Sequence, residues 1–234
     1  MDREAIVLAG GLGTRLRSVL PDLPKVLAPI QGVPFLSYLL RYLKREGIGR
    51  VILSLGYKAE EVMKALSHEK WDIEIVPVIE PEPLGTGGAL AYAWGKTTQK
   101  RVFALNGDTF FPIDLRAFED FHERQGAPLS IALAHVAPAD RYGLVEVRDG
   151  WVYAFREKAP AAEGWIYGGI ALIETAWWKA QSWSFSFSWE SYLMKAVPAL
   201  PVAAYQAEHV PFIDIGVPAD YERAQTLIPA YARF

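Results

Sequence analysis

A glycine-rich loop near the start of the chain has the composition of an anion-binding turn. It reads Leu8-Ala9-Gly10-Gly11-Leu12-Gly13-Thr14-Arg15-Leu16. Three glycines allow the backbone to turn sharply and to point N–H groups at a phosphate, and the Arg15 guanidinium suits phosphate oxygens. The loop therefore indicates a phosphate site, although the glycines alone fit a plain strand-to-helix turn equally well.

The loop differs from the two commonest nucleotide-binding motifs. A dinucleotide fingerprint needs a third glycine where Leu16 stands, and a P-loop needs the sequence Gly-Lys-Ser/Thr, which is absent. Lys25 follows Pro24 a short distance beyond the loop. Because proline disfavours helix around it, we expect Lys25 in an extended segment that folds back over the loop. The alternative is an ordinary surface lysine.

Two aspartates stand in strongly apolar surroundings. Asp108 follows the apolar residues 102–105 after Asn106 and Gly107, and Asp214 lies inside the apolar residues 212–216. An isolated carboxylate there is costly unless it is hydrogen-bonded or holds a metal. Ligands of open α/β sheets bind beyond the carboxyl ends of strands. The pair therefore predicts a Mg²⁺ site shared with substrate phosphates, with backbone N–H groups satisfying each carboxylate as the alternative.

The elements that must position these residues alternate between strand and helix in the first half of the chain. Apolar runs predict strands over 5–9, 51–55, 73–79 and 102–105, and helical spacing predicts helices over 36–43, 59–66 and 89–94. Strict alternation favours parallel βαβ units. We expect an α/β fold with a Rossmann-like, mixed, mainly parallel sheet flanked by helices.

The second half of the chain has a different pattern. Residues 144–147 and 151–155 flank an Asp149-Gly150 turn and predict a β-hairpin. An apolar stretch follows at 170–173, and a last helix is predicted over 218–227. Since no linker or low-complexity tract divides the chain, we expect a single domain over residues 1–234.

Composition narrows the class of protein. The 234 residues carry a formal charge of −3, are 51% hydrophobic and include no cysteine. Thiol nucleophiles and disulfides are thereby excluded, and no overall basic field attracts nucleic acid or an acidic membrane. The four histidines lack the spacing of metal ligands. With no signal peptide and no apolar run of roughly 18–20 residues, we expect a cytoplasmic protein.

An aromatic segment at residues 183–189 has no evident place in this chemistry. Trp183, Phe185, Phe187 and Trp189 alternate with serines, a period of two that is typical of an edge strand or extended arm. An aromatic contact between two copies of the chain, giving a homodimer, is the second interpretation. Stacking on a sugar is the third.

Six motifs in order resemble those of the sugar-1-phosphate nucleotidyltransferase family. They are the glycine-rich loop with Pro24-Lys25, residues 82–89, residues 106–109, Arg141-Tyr142-Gly143, residues 155–158 and residues 212–216. The resemblance extends over nearly the whole chain. It implies an enzyme that joins a nucleoside triphosphate to a sugar 1-phosphate with Mg²⁺ as cofactor and releases pyrophosphate.

The resemblance also implies a role for each matching position. Residues 1–115 would mainly bind the nucleotide, and residues 116–234 would mainly bind the sugar phosphate. Arg15 and Lys25 would be catalytic, and Asp108 and Asp214 would bind the metal. The nucleotide would contact Leu8, Ala9, Gly10, Gly11, Gly13, Thr14, Arg15, Leu84, Gly85, Thr86 and Gly87. The sugar phosphate would contact Asn106, Tyr142, Gly143, Glu157, Lys158 and Gly169.

Within the family, the loop and the short chain look most like the guanylyltransferases that act on heptose 1-phosphate, followed by those that act on mannose 1-phosphate. Tyr167 departs from the asparagine that relatives often carry and bears on the choice of sugar. Members specific for uridine, thymidine or cytidine triphosphate are alternatives. So is a non-catalytic sensor of nucleotide sugars, but such a protein would be expected to lack Lys25 or a metal aspartate.

Overall fold

The computed structural model describes residues 3–11, 13, 16, 19–20, 22–157 and 162–231. The predictions for Thr14, Arg15 and Lys158 lie outside these residues. Seven α-helices are described: α1 Phe35–Arg45, α2 Ala59–Ser67, α3 Gly85–Trp94, α4 Leu115–Gln125, α5 Thr175–Lys179, α6 Trp189–Ala196 and α7 Pro218–Tyr231. Within the described part of the chain, no helix is long and apolar enough to cross a membrane.

Thirteen strands accompany these helices in the described residues. The first seven are β1 Arg3–Leu8, β2 Pro29–Ile30, β3 Val33–Pro34, β4 Ile48–Leu55, β5 Glu74–Ile79, β6 Arg101–Asn106 and β7 Thr109–Phe110. The other six are β8 Leu129–Val136, β9 Leu144–Arg148, β10 Trp151–Arg156, β11 Gly164–Glu174, β12 Val202–Ala207 and β13 Ile213–Asp214.

Nine of the strands form one mixed sheet in the order β5-β4-β1-β6-β11-β8-β12-β10-β9. β5, β4, β1 and β6 pair in parallel, and β11 then joins β6 antiparallel. The parallel half confirms the βαβ units predicted from the alternating pattern, and the mixed α/β architecture confirms the predicted fold class. Because β1 lies inside the parallel half, its carboxyl end faces the crevice where open α/β sheets bind ligands.

Helices cover both faces of the sheet. Ala5 and Val7 of β1 pack in one apolar core, which includes residues of α1, α2, α4 and α7. Ile6 packs in a second core on the opposite face, with residues of α3, α5 and α6. This burial on both sides explains why β1 is a continuous apolar run instead of an alternating one.

The hairpin of β9 and β10 matches its sequence prediction closely. Trp151 pairs with Arg148 across a two-residue turn. Asp149 and Gly150 have φ values of 50° and 81°, which is the left-handed conformation that a type I′ turn requires at both positions.

Three local predictions were wrong. Lys25 does not lie in an extended segment, because the chain is extended only through Pro24 and Lys25 begins a 3-10 helix, Lys25–Leu27. α3 begins at Gly85 instead of Ala89, since its first turn is completed by hydrogen bonds from another part of the chain. Residues 183–188 do not form the predicted edge strand, because the Trp183 ring stacks on Phe187 and packs on Trp177 and Trp178 of α5.

Candidate active site

The carboxyl ends of β1 and β6 approach each other closely and bring Asp108 beside the glycine-rich loop. The Gly107 N–H donates to the Leu8 carbonyl at 2.9 Å. A Cβ atom at position 107 would lie 2.5 Å from that carbonyl oxygen, which is too close for any side chain. Glycine at position 107 is therefore what allows this approach.

Lys25 lies between the two aspartates that the sequence singled out. Its Nζ is 2.7 Å from Asp108 Oδ2 and 3.0 Å from Asp214 Oδ1, and its side chain is only 9% exposed. β13 carries Asp214 to this point because it pairs antiparallel with β7, which follows Asp108 directly. Three distant parts of the chain thus bring one cationic and two anionic side chains into contact.

The two carboxylates fit the needs of a magnesium ion. Both reach a single positive charge, the Lys25 ammonium, so they are close enough to share a cation. Carboxylate oxygens are suitable ligands, and Mg²⁺ in phosphate-transfer sites usually takes one or two carboxylates with water and phosphate oxygens. No group of three or more His, Asp or Glu side chains suited to a metal occurs in the described residues. Asp108 and Asp214 could hold such an ion only with further ligands, such as water or phosphate oxygens.

A cavity of about 820 Å³ lies next to this cluster. Lys25, Asp108 and Asp214 line it, as do most of the predicted nucleotide-binding residues, namely Leu8, Ala9, Gly10, Gly11, Gly13, Leu84, Gly85 and Thr86. Gly87 does not line the cavity, because it is buried against Phe187. The structure therefore brings together the two glycine-rich segments that lie far apart in the sequence.

A second cavity of about 610 Å³ adjoins the first. The predicted sugar-phosphate residues Asn106, Tyr142, Gly143, Glu157 and Gly169 all line it. Tyr167 lines it as well. Four residues line both cavities: Asn106, Thr109, Glu190 and Asp214. Since the cavities share a boundary at Asp214, ligands bound in the two can meet beside the aspartate and lysine cluster.

Glu80 is a wall residue of the first cavity that the sequence interpretation missed. Its carboxylate accepts from Ser54 Oγ at 3.2 Å and from the Leu84 N–H at 3.4 Å. Burial raises the pKa of this carboxyl, and the two hydrogen bonds offset part of that rise. A signal was present, because Glu80 directly follows the apolar strand β5, much as Asp108 lies two residues beyond the end of β6.

Two other residues were missed at the second cavity. Arg141 lines it and donates to the buried Asp220 of α7 at 2.6 Å, and this hydrogen bond raises the pKa of the guanidinium. Glu190 lines both cavities, and its Oε2 accepts from the hydroxyls of Thr86 and Ser188 at 2.8 and 3.0 Å. Glu190 was not recognisable because it directly follows the aromatic segment and belongs to no motif that the sequence analysis identified.

Two curated guanylyltransferases are similar to this chain in sequence over nearly their whole length. The first is D-glycero-alpha-D-manno-heptose 1-phosphate guanylyltransferase from Aneurinibacillus thermoaerophilus. It is 44% identical to this chain, and the alignment covers 97% of this chain and 99% of the relative. The guanylyltransferase of the same name from Campylobacter jejuni is 40% identical over 93% of this chain and 96% of its own.

A solved structure gives the same result in three dimensions. HddC from Yersinia pseudotuberculosis, complexed with GMP-PN, superposes with a TM-score of 0.84 at 32% identity and covers 95% of this chain and 98% of its own. The family model described as nucleotidyl transferase matches residues 4–193. The chain therefore belongs to the nucleotidyl transferase family and is a nucleotidyltransferase, as its six motifs predict.

Proposed function

We propose that this enzyme transfers a guanylyl group from GTP to D-glycero-alpha-D-manno-heptose 1-phosphate, forming a GDP-sugar and releasing pyrophosphate. The observation that carries the choice of base is the Glu80 carboxylate in the wall of the first cavity. The choice of sugar is supported by the names of the two guanylyltransferases that are 44% and 40% identical.

A carboxylate at this position suits guanine better than the other bases. Guanine presents two adjacent donors on one edge, the N1–H and the 2-amino group, and an ionised carboxylate is purely an acceptor. Adenine offers an acceptor at N1, and uracil flanks its single N–H with carbonyl oxygens that a carboxylate would repel. Hydrogen bonds to an ionised group are among the stronger ones, so Glu80 gives GTP a large advantage.

The position of Glu80 relative to the glycine loop supports this role. A Cβ atom at position 10 would lie 2.5 Å from Glu80 Oε1, so the loop backbone passes directly beside the carboxylate. The Leu84 N–H and the Ser54 hydroxyl donate to the same carboxylate and hold it in place. A base inserted between the loop and residues 84–86 would meet Glu80 at its edge.

The reaction we propose is an in-line displacement at the α-phosphorus of GTP. An oxygen of the sugar 1-phosphate forms the new P–O bond, and the bond from that phosphorus to pyrophosphate breaks. The nucleophile is already an anion near neutral pH, so no side chain has to remove a proton. The enzyme's contribution is then positioning and charge neutralisation.

The converging residues supply these two contributions. Lys25, with Arg15 from the glycine loop, would neutralise the negative charge that moves onto the departing pyrophosphate. Asp108 and Asp214 would hold Mg²⁺, which supplies further neutralisation of phosphate oxygens when bound. The residues of the second cavity would orient the sugar phosphate. The two halves, 1–115 and 116–234, would thus act as nucleotide and sugar-phosphate halves of one domain.

Three finer expectations belong to this proposal and stay predictions. They are magnesium as the metal, a cytoplasmic location and assembly as a homodimer. Among the aromatic side chains of residues 183–189, Trp189 is buried within its own chain and Phe185 is 63% exposed. Phe185 is thus the side chain of this group that a partner copy could reach.

Replacing Glu80 with glutamine tests the choice of base. We expect the Glu80→Gln variant to have a KM for GTP raised by about ten- to a hundredfold, the loss typical of hydrogen bonds to a charged group. The preference for GTP over ITP, which lacks the 2-amino group, should fall with it. Initial rates of pyrophosphate release over a range of each triphosphate provide both quantities.

The matched control removes the same charge elsewhere. Glu60 is exposed on α2, and Glu60→Gln should leave the KM and the GTP preference unchanged.

The wild-type enzyme should also lose affinity for GTP as the pH falls through the raised pKa of Glu80, since the protonated carboxyl accepts poorly. Glu80→Gln should lack this pH dependence. An unchanged GTP preference in Glu80→Gln would refute the assignment.

A further inference from the structure

We propose that the aromatic segment, residues 183–189, positions the turn at residues 84–88, which would contact the base of the nucleotide. Phe187 is the positioning residue of this segment. The inference rests on the proposed role of that turn in nucleotide binding. It assigns a task to a segment for which the sequence offered an edge strand, a dimer contact or a sugar platform.

Backbone hydrogen bonds join Phe187 to the turn in both directions. The Phe187 N–H donates to the Leu84 carbonyl at 3.0 Å, and its carbonyl accepts from the N–H groups of Gly87 and Gly88 at 2.9 and 3.3 Å. These two donors lie in the first turn of α3, where N–H groups have no partner within the helix. A residue from outside the helix therefore completes the start of α3.

The glycines of the turn make this approach sterically feasible. A Cβ atom at position 87 would lie 2.1 Å from the Phe187 ring, and one at position 88 would lie 2.6 Å from the Phe185 carbonyl oxygen. Gly85 has a φ of +69°, and its Cβ would lie 2.6 Å from the Phe187 carbonyl oxygen. The two segments are thus in direct contact along the whole turn, and neither can shift without the other.

A stack of aromatic rings fixes the other side of Phe187. Its ring stacks on Trp183, with centroids 5.6 Å apart and planes 2° apart. Trp183 stacks on the buried Trp178 at 4.1 Å, and Trp178 stacks on Trp94 at 4.3 Å. Since Trp94 is the last residue of α3, the stack runs from the end of this helix back to its beginning.

Side-chain and backbone contacts of the turn connect Phe187 to residues that line the first cavity. The Thr86 hydroxyl donates to Glu190 at 2.8 Å and accepts from the Trp189 N–H at 2.9 Å. The Leu84 N–H donates to Glu80 at 3.4 Å. Because Leu84, Thr86 and Glu80 all line the first cavity, displacement of Phe187 would move the groups that meet the base.

The test compares two phenylalanines of the same segment. In Phe187→Ala we expect a KM for GTP raised at least about tenfold, the scale of one lost hydrogen bond to the base, and a reduced preference for GTP over ITP. The KM for the sugar 1-phosphate should change far less. Phe185→Ala removes an exposed ring and should leave all three quantities at wild-type values. Phe187→Leu should recover part of the loss, because it refills the space beside Gly87.

Each result bears on the inference separately from the proposed function. If Phe187→Ala is folded by circular dichroism and matches Phe185→Ala in KM and base preference, the inference is wrong, while a wild-type preference for GTP would still stand. If the wild type prefers another triphosphate, the guanine assignment fails, and the KM for the preferred triphosphate still tests Phe187. If Phe187→Ala does not fold, Gly87→Ala, whose methyl would strike the ring, should raise the same KM; an unchanged KM there overturns the inference.

Discussion

Replacement of Lys25 by alanine is expected to lower turnover by about a hundredfold or more, the cost of removing one electrostatic donor from a comparable site. Lys25 is the described cation that is held between Asp108 and Asp214, and its side chain is almost fully buried. Its charge is therefore poorly screened by water and would act strongly on phosphates bound beside it. Steady-state kcat from pyrophosphate release measures the effect.

A surface lysine provides the control for this substitution. Lys64→Ala removes the same charge from an exposed position on α2 and should leave kcat unchanged. Circular dichroism and the thermal midpoint should be compared for both variants, since Lys25→Ala leaves two carboxylates facing each other without a cation. A folded Lys25→Ala enzyme that turns over at a near wild-type rate would remove Lys25 from the mechanism.

Asp108→Asn is expected to abolish activity and the response to divalent metal together. The amide keeps the size of the side chain but loses the charge that favours Mg²⁺. The same result is expected for Asp214→Asn, because Asp214 reaches the same point from β13. Titration of Mg²⁺ against the rate of pyrophosphate release, with each variant at high protein concentration, measures both losses.

The hairpin turn offers a matched control for these aspartates. Asp149 is exposed and occupies a type I′ turn, where Asn-Gly is as favourable as Asp-Gly. Asp149→Asn should therefore retain full activity and the wild-type Mg²⁺ requirement. An Asp108→Asn enzyme that stays active and still requires the metal would mean that another group holds the ion.

Much of the site could be predicted because strand ends are readable in the sequence. A buried strand is a run of apolar residues, and the first polar residue after it lies at the edge where ligands bind. That rule led to the glycine loop after β1 and to the segment 106–108 at the end of β6, and both line the first cavity. Applied to β5 it would also have found Glu80, which ends the strand in the same way.

Two local features were predicted wrongly, for different reasons. Lys25 begins a 3-10 helix despite the preceding proline, since proline restricts the residue before it more than the residue after it. The early start of α3 depends on hydrogen bonds to Phe187, a hundred residues away in the sequence. No local propensity contains that information.

The aromatic segment shows how a periodic pattern can mislead. Aromatic rings alternating with serines fit a strand with one buried face, but the rings of Trp183 and Phe187 stack face to face. Trp178 and Trp189 are buried beside them, whereas Phe185 projects into solvent. Alternation thus reflected packing against α3 and α5 instead of pairing with another strand.

The most direct test of the proposed reaction is pyrophosphate release by the purified enzyme with Mg²⁺. Each of the four nucleoside triphosphates should be paired with D-glycero-alpha-D-manno-heptose 1-phosphate, mannose 1-phosphate and glucose 1-phosphate. We predict release with GTP and heptose 1-phosphate, much less with mannose 1-phosphate, and formation of the corresponding GDP-sugar. Equal release with another triphosphate would contradict the role of Glu80, and nucleotide binding without release from any pair would contradict the proposed transfer.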